Sequence, residues 1–476
     1  MKLKCILFSL MVSVLLASAP VQVWAEDADN QEKTEEELAA AEEKEKTDSY
    51  AREIDTNALE NWPSGPQVYA DSAVVMDMES GAVLYAKQAD KQHYPASITK
   101  LMTTLVALEN AELTDKVRFT EDSISFLQWD DAQIGMKAGE EISLEDALHG
   151  VLLASANEVS HAVAESVGAD RLGGDYETFI QKMNTRAEEL GCTNSHWVNP
   201  NGLHDDNHYT SAHDMALIAS AVYQQDEFKK IMGTLEYKIG ATNLTKEERV
   251  FQQNHKMLWP ENYYYYEYCK GGKTGYTDQA KTTLVTMADN GDMRLAAVVL
   301  YDYGVDAYTD TRAMFDYVFQ NFHKVPVAGA EDSEEISSFD DKDAYVVLPE
   351  DVAYTDLDKE IVLTKQGIRS GKIIYTYKGD NVGSAAVTLT EEGYQKLSGG
   401  SAAQSDSKKI ENEGSTPDQS AQADRDKAKE QENAEKDSRN LKLVIAVSAA
   451  VVFVVIIIIA ILEAKRKKNA GKNKRP

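Results

Sequence analysis

The chain has 476 residues, 43% of them apolar, enough to bury more than one sizeable core. A formal net charge of −30, from 79 acidic against 49 basic residues, argues strongly against a nucleic-acid partner. With only three cysteines, the chain is not built on a disulfide framework.

Met1 to Ala25 carries Lys2 and Lys4, an apolar run from Ile6 to Leu16, and small residues before a cut after Ala25, the pattern of a secretory signal. Cys5 leaves with it, so the mature chain keeps Cys192 and Cys269, expected as free thiols or one optional bridge. Residues 26–66 are dominated by Glu, Asp, Lys and Ala and are expected to form a largely disordered acidic arm.

A folded domain is predicted over residues 67–325. It opens with a hairpin, "AVVMDM", the turn Glu79-Ser80-Gly81 and "AVLYAK", alternating as half-buried strands do. A helix begins at "YPASITK", where Ile98, Leu101, Met102, Leu105, Val106 and Leu108 fall on one face. From about Asn110 to Gln224 helix signals dominate: Ser143 and Asp146 read as a cap ahead of "ALHGVLLASA", and Gly191 ends "YETFIQKMNTRAEEL". Strand character returns at "RVFQQN", and "KTTLVTMADNGDMRLAAVVLYD" reads as a hairpin turning at Asn290-Gly291. The helix "TDTRAMFDYVFQNF" closes the unit.

Short strands over 338–398 predict a separate small β domain, followed by a flexible polar linker over 401–440. Residues 443–462 are about 20 almost purely apolar positions, enough for one transmembrane helix across about 30 Å of hydrocarbon. The basic tail 463–476 belongs in the cytoplasm under the positive-inside rule, which places the folded part outside. The expected class is therefore α+β, an antiparallel sheet flanked by helices with a mostly helical insertion lobe, plus the β domain and one membrane helix.

Three short motifs stand in order: Ser97-Ile98-Thr99-Lys100, Ser155-Ala156-Asn157 and Lys273-Thr274-Gly275. Each is weak alone; a Ser-x-x-Lys pair is expected about once by chance in a chain this long. Their contexts strengthen them: a helix start after a hairpin, a break between helices, and the start of a sheet strand. Ser97 and Lys100, at i and i+3, share a face, so a lysine of lowered pKa can serve as the base the serine needs. Ser155 can relay a proton to the leaving amine, and Asn157 can orient the substrate backbone. Lys273 and the Thr274 hydroxyl suit a free carboxylate. Gly275 leaves room for a substrate strand, and the N–H groups of Ser97 and Tyr276 can meet an oxyanion.

At these residues the chain resembles a known family. "PASITK", "SAN" and "GGKTGYTD", with "HWVNPNGLHDDNHYTSAHDMALIA", look like the serine-type D-alanyl-D-alanine carboxypeptidases, the low-molecular-mass penicillin-binding proteins, over about Val68 to Phe322. The resemblance implies a DD-peptidase/β-lactamase-like fold, cleavage of the terminal D-alanine from peptidoglycan stem peptides through a serine acyl-enzyme, no metal or cofactor, and inhibition by β-lactams. It implies Ser97 as nucleophile, Lys100 as base, Ser155 and Asn157 as the second motif, and Lys273 as the carboxylate-binding lysine. The full membrane span and long linker depart from relatives held by a terminal amphipathic helix, which alters tethering more than chemistry.

Other readings are weaker. A serine β-lactamase shares the motifs but needs a deacylating glutamate, and no E-x-x-L-N-like peptide follows Ser155. A penicillin-acylated sensor would need a signalling domain for which the basic tail has no room. His204, His208 and His213, interleaved with Asp205, Asp206 and Asp214, read as a polar loop rather than a metal site, since they lack zinc-enzyme spacing. The run Tyr263 to Tyr266 reads as alternating core and surface.

Overall fold

In the computed structural model, residues 35–398 are described apart from residue 366. The predicted signal 1–25, linker 401–440, membrane helix 443–462 and tail 463–476 lie outside the described residues. Among the described residues no helix is long and apolar enough to cross a membrane.

Helix α1 (Glu35–Tyr50) opens the described chain. Strands β1 (Ser72–Asp77) and β2 (Val83–Lys87) form the predicted hairpin, whose turn is tied by Asp77 Oδ1 accepting from Ser80 N at 2.8 Å. A 3-10 turn over Ala96–Thr99 then runs into α2 (Lys100–Asn110).

The helical lobe follows. It holds a ribbon that the sequence did not announce, β3 (Lys116–Arg118) against β4 (Glu141–Ser143), with the single turn α3 (Asp122–Ser125) between them. Its larger helices are α4 (Leu144–Leu152), α5 (Asn157–Asp170), α6 (Tyr176–Leu190), α7 (Ala212–Tyr223) and α8 (Asp226–Met232). Local signals set their ends: Ser143 Oγ accepts from Asp146 N at 3.1 Å, and Gly191 ends α6 with φ of 87°.

A second ribbon, β5 (Glu236–Ile239) with β6 (Arg249–Gln252), leads to β7 (Cys269–Thr277), β8 (Lys281–Asp289), β9 (Arg294–Asp302) and α9 (Asp306–Asn321). The two ends of the domain join in one antiparallel sheet, in the order β2-β1-β9-β8-β7. Because side chains alternate along a strand, Ala296, Val298 and Leu300 of β9 face the helical lobe while Leu295, Ala297 and Val299 face α9. The sheet is therefore buried on both faces, which is why β9 reads as an unbroken apolar run.

Beyond α9, β10 (Phe322–Pro326), β11 (Ile336–Phe339), β12 (Tyr345–Pro349), β13 (Asp358–Leu363), β14 (Ser370–Tyr377) and β15 (Asp380–Leu389) build two small sheets, β10-β12 and β11-β15-β14-β13. The strands from β11 on were expected, over 338–398, as a separate domain. They are not separate: Val346, Val347, Tyr375 and Val387 share one apolar cluster with Val75, Leu84 and Phe315, and the compact unit runs on to Leu397. Tyr345 also reaches across, its hydroxyl 2.7 Å from Glu79 Oε2 and 3.1 Å from Asp77 Oδ1.

The acidic arm also departs from expectation over residues 35–66. Lys46 pairs with Asp306 at 2.5 Å, and the Tyr301 hydroxyl donates to Glu45 at 2.9 Å. Buried Lys87 donates to the carbonyls of Ser49, Val68 and Ala70, each at 2.8 Å, and buried Trp62 packs against Phe322. Composition hides this docking because it rests on polar contacts and on scattered apolar side chains, Ile54, Leu59 and Trp62, rather than on an apolar helix stripe.

Candidate active site

Ser97 sits in the 3-10 turn before α2, and the residue ahead of it, Ala96, has φ of 50°, in the left-handed region that non-glycine residues avoid. Three contacts hold this turn. The Ala96 carbonyl accepts from Thr99 Oγ1 at 2.8 Å, Thr99 Oγ1 meets His208 Nε2 at 2.8 Å, and Thr283 Oγ1 donates to Pro95 O at 2.8 Å. His208 Nδ1 accepts from Val198 N at 3.1 Å, so the ring proton sits on Nε2 and the donor chain runs His208 to Thr99 to Ala96. Burial pulls the His208 pKa down to about 3, which keeps the ring neutral.

Lys100 begins α2 and is fully buried. Its Nζ lies 2.9 Å from Ser97 Oγ, 2.8 Å from Asn157 Oδ1 and 2.6 Å from Asn201 O. Burial, and then the neighbouring charge of Lys273, hold its pKa well below the ordinary lysine value. The amide oxygen and the backbone carbonyl can only accept. A neutral amine gives its two hydrogens to those acceptors and keeps one lone pair directed at the Ser97 hydroxyl.

The second motif lies between α4 and α5, as expected of a break between helices. Ser155 there has φ of 63° and, with Ser97, lines a cavity of about 410 Å³. Asn157, the first residue of α5, is engaged through its amide oxygen by Lys100.

The third motif lies on β7, the edge strand. Thr274, Gly275 and Tyr276 line the cavity, but Lys273 is 1% exposed, and its Nζ donates to Thr274 O at 2.7 Å. Burial lowers its pKa to about 7. The lysine expected to present a positive charge at the sheet edge is therefore buried, close enough to Lys100 to lower its pKa. Gly275 abuts the nucleophile's own turn rather than open groove: a Cβ there would lie 2.8 Å from Ser97 N and 2.4 Å from Thr283 Oγ1.

Several contributors were given no role from the sequence, although Asn199 to Gly202 lie in a stretch that carries the family resemblance. The Asn201 carbonyl belongs to a loop tied by Asn199, whose Oδ1 accepts from Gly202 N at 2.7 Å. Gly202, with φ of 86°, packs so closely that a Cβ would lie 1.9 Å from Ala96 O. Lys256, Val305 and Tyr308 complete the wall. The three histidines of the polar loop part ways: His208 supports the serine turn, while His204 approaches Asp206 at 3.5 Å and His213 approaches Asp90 at 3.3 Å. Cys192 and Cys269 are both buried free thiols. The tyrosine run alternates as expected, Tyr263 and Tyr265 exposed and Tyr266 buried, while half-buried Tyr264 stacks on Tyr308 with ring centroids 5.2 Å apart.

The family described as D-alanyl-D-alanine carboxypeptidase matches residues 59–304. The carboxypeptidase DacF of Bacillus subtilis is 34% identical over 271 residues, 54% of this chain and 64% of that protein. DacA of Haemophilus influenzae is 30% identical over 359 residues, 69% of this chain and 86% of that protein. Among solved structures, penicillin binding protein 5 from Haemophilus influenzae superimposes with a TM-score of 0.53 at 27% identity, covering 69% of this chain and 98% of that one. The DD-transpeptidase of Streptomyces gives a TM-score of 0.50 at 25% identity, covering 54% of this chain and all of its own, 100%. The chain belongs to the D-alanyl-D-alanine carboxypeptidase family, a family of serine peptidases with the DD-peptidase, penicillin-binding fold.

Proposed function

We propose that the protein is a serine D-Ala-D-Ala carboxypeptidase that trims peptidoglycan stem peptides outside the cell, is acylated by β-lactams, and is held at the membrane by residues 443–462. The observation that carries the chemistry is the placement of Lys100 Nζ, 2.9 Å from Ser97 Oγ and anchored by two groups that can only accept.

Ser97 Oγ attacks the carbonyl carbon of the penultimate D-alanine while its proton passes to neutral Lys100. The oxyanion is met by the backbone N–H groups of Ser97 and Tyr276. As the peptide bond breaks, Lys100 returns the proton through Ser155 to the departing amine of the terminal D-alanine, leaving an ester on Ser97. Water then attacks this ester, giving its proton to Lys100 and restoring the serine. Asn157 holds Lys100, and the Thr274 hydroxyl donates to the substrate carboxylate.

Among the described residues no aspartate or glutamate lines the cavity, so water at a β-lactam ester would find no carboxylate base. Buried Glu158 beside Asn157 instead accepts from Ile134 N at 2.8 Å. This favours a peptidase slowly freed from penicillin over a β-lactamase.

The test is D-alanine release from a peptide ending in Lys-D-Ala-D-Ala by the full chain in detergent, beside its Ser97→Ala variant. Release by the parent alone is expected. Release that survives Ser97→Ala, or a folded parent that releases none, would overturn the reading.

A further inference from the structure

Lys256 lies in a 3-10 turn, Lys256–Leu258, ahead of β7, and lines the same cavity as Ser97, Ser155 and Thr274. Its Nζ stands 5.6 Å from the ring centroid of Tyr308 and 5.7 Å from that of Tyr264. The two rings stack on each other, so the ammonium is steered by a fixed aromatic pair. Lys46 and Lys281, by contrast, each have a carboxylate partner, Asp306 at 2.5 Å and Glu42 at 3.9 Å. Among the described residues Lys256 has no carboxylate within ion-pairing distance, and none lines the cavity. In a chain of net charge −30, an unpaired ammonium facing a cavity marks a place for an anion from outside.

The other two lysines of the site do not meet that need. Lys100 is committed to Ser97, Asn157 and Asn201, and Lys273 is buried with its Nζ on the Thr274 carbonyl. With its pKa near 7, Lys273 also carries only part of a charge at neutral pH.

We propose that Lys256 is the cation that contacts the free α-carboxylate of the substrate's terminal residue, with the Thr274 hydroxyl as its partner donor. This rests on the carboxypeptidase reading and deepens it. It makes Lys256 a specificity residue: the cavity selects chain ends over internal peptide bonds because only a chain end brings a carboxylate to this ammonium. Tyr308 and Tyr264 position the ammonium and do not touch the reacting atoms.

The experiment compares two substrates on one protein preparation, a peptide ending in D-Ala-D-Ala and the same peptide with its C-terminus amidated. The ratio of their kcat/KM values is independent of how much of a variant is folded. Lys256→Met should lower the acid-to-amide ratio by about tenfold or more, carried by KM for the acid, and Lys256→Arg should restore most of it. An unchanged ratio in Lys256→Met, or a Lys256→Arg variant as impaired as Lys256→Met, would overturn the assignment. Acylation of Ser97 by a fluorescent penicillin and by its methyl ester supplies the same ratio without peptide hydrolysis. A parent that is acylated but releases no D-alanine would sink the carboxypeptidase reading, and the acid-to-ester ratio in Lys256→Met would still decide the role of Lys256.

Discussion

Gly275 lies directly against Ser97: a methyl group on its α-carbon would sit 2.8 Å from the Ser97 nitrogen. The edge strand thereby presses on the backbone of the nucleophile, whose N–H is one of the two proposed oxyanion donors. Gly275→Ala must push the strand away or displace the Thr283 hydroxyl that holds Pro95. Overpacking of this kind costs about 1–3 kcal/mol, and an oxyanion donor moved out of place costs about 10²–10³-fold in rate. Penicillin acylation should therefore fall much further than the thermal midpoint; equal and small changes in both would count against the close-approach argument.

Lys100→Met should lower the acylation rate by about 10²–10⁴-fold, the range for loss of a positioned base. The same variant tests the charge state. The folded pKa of Lys100 lies below the ordinary 10.5, so between the two values the unfolded chain binds more protons and this group's contribution to stability rises with pH. Denaturant unfolding from pH 7 upward should show parent stability gaining on that of Lys100→Met as pH approaches 10.5. Parallel curves would mean that Lys100 is not held neutral.

His208→Gln and Thr99→Val each break the donor chain that fixes the Ala96 carbonyl. Loss of one partner in a buried pair costs about 1–3 kcal/mol. The folded His208 pKa of about 3 is far below the unfolded 6.5, so its contribution is fully present above 6.5 and is lost as pH falls toward 3. His208→Gln should accordingly flatten the acid limb of the stability profile, measured by unfolding between pH 4 and pH 7, whereas Thr99→Val should keep it.

The Lys87 latch makes a prediction about α1. Lys87→Met leaves the carbonyls of Ser49, Val68 and Ala70 without their shared donor, a loss of about 1–3 kcal/mol for each that stays dry. Amide hydrogen exchange across residues 35–50 should accelerate in Lys87→Met while that of β9, at the centre of the sheet, changes little. Unaltered protection of α1 would show that the ion pair of Lys46 with Asp306 suffices to dock it.

Local chemistry made much of the fold legible in the sequence. The hairpin at Glu79 to Gly81, the Ser143 cap, the stop at Gly191 and the turn at Asn290-Gly291 each depend on backbone rules that act within a few residues. The pairing of Ser97 with Lys100 was legible for the same reason, since residues three apart along a helical turn share a face. Ser155, Asn157, Thr274, Gly275 and Tyr276 could be picked out by motif, but which neighbours they would meet could not.

Tertiary structure alone decided the rest, because it depends on contacts between positions far apart in the chain. Asn201 reaches Lys100 across 101 positions through a backbone carbonyl, and Asn157 across 57. Composition pointed α1 toward solvent because its docking is polar, through Lys46 and the Lys87 latch, and polar docking leaves no apolar period to read. The β strands after α9 looked independent because sequence shows that a face is apolar without showing what covers it; here it is the outer face of the main sheet. The burial of Lys273 and the free ammonium of Lys256 are likewise properties of where two lysines come to rest, 17 positions apart in the sequence, one buried and the other lining the cavity.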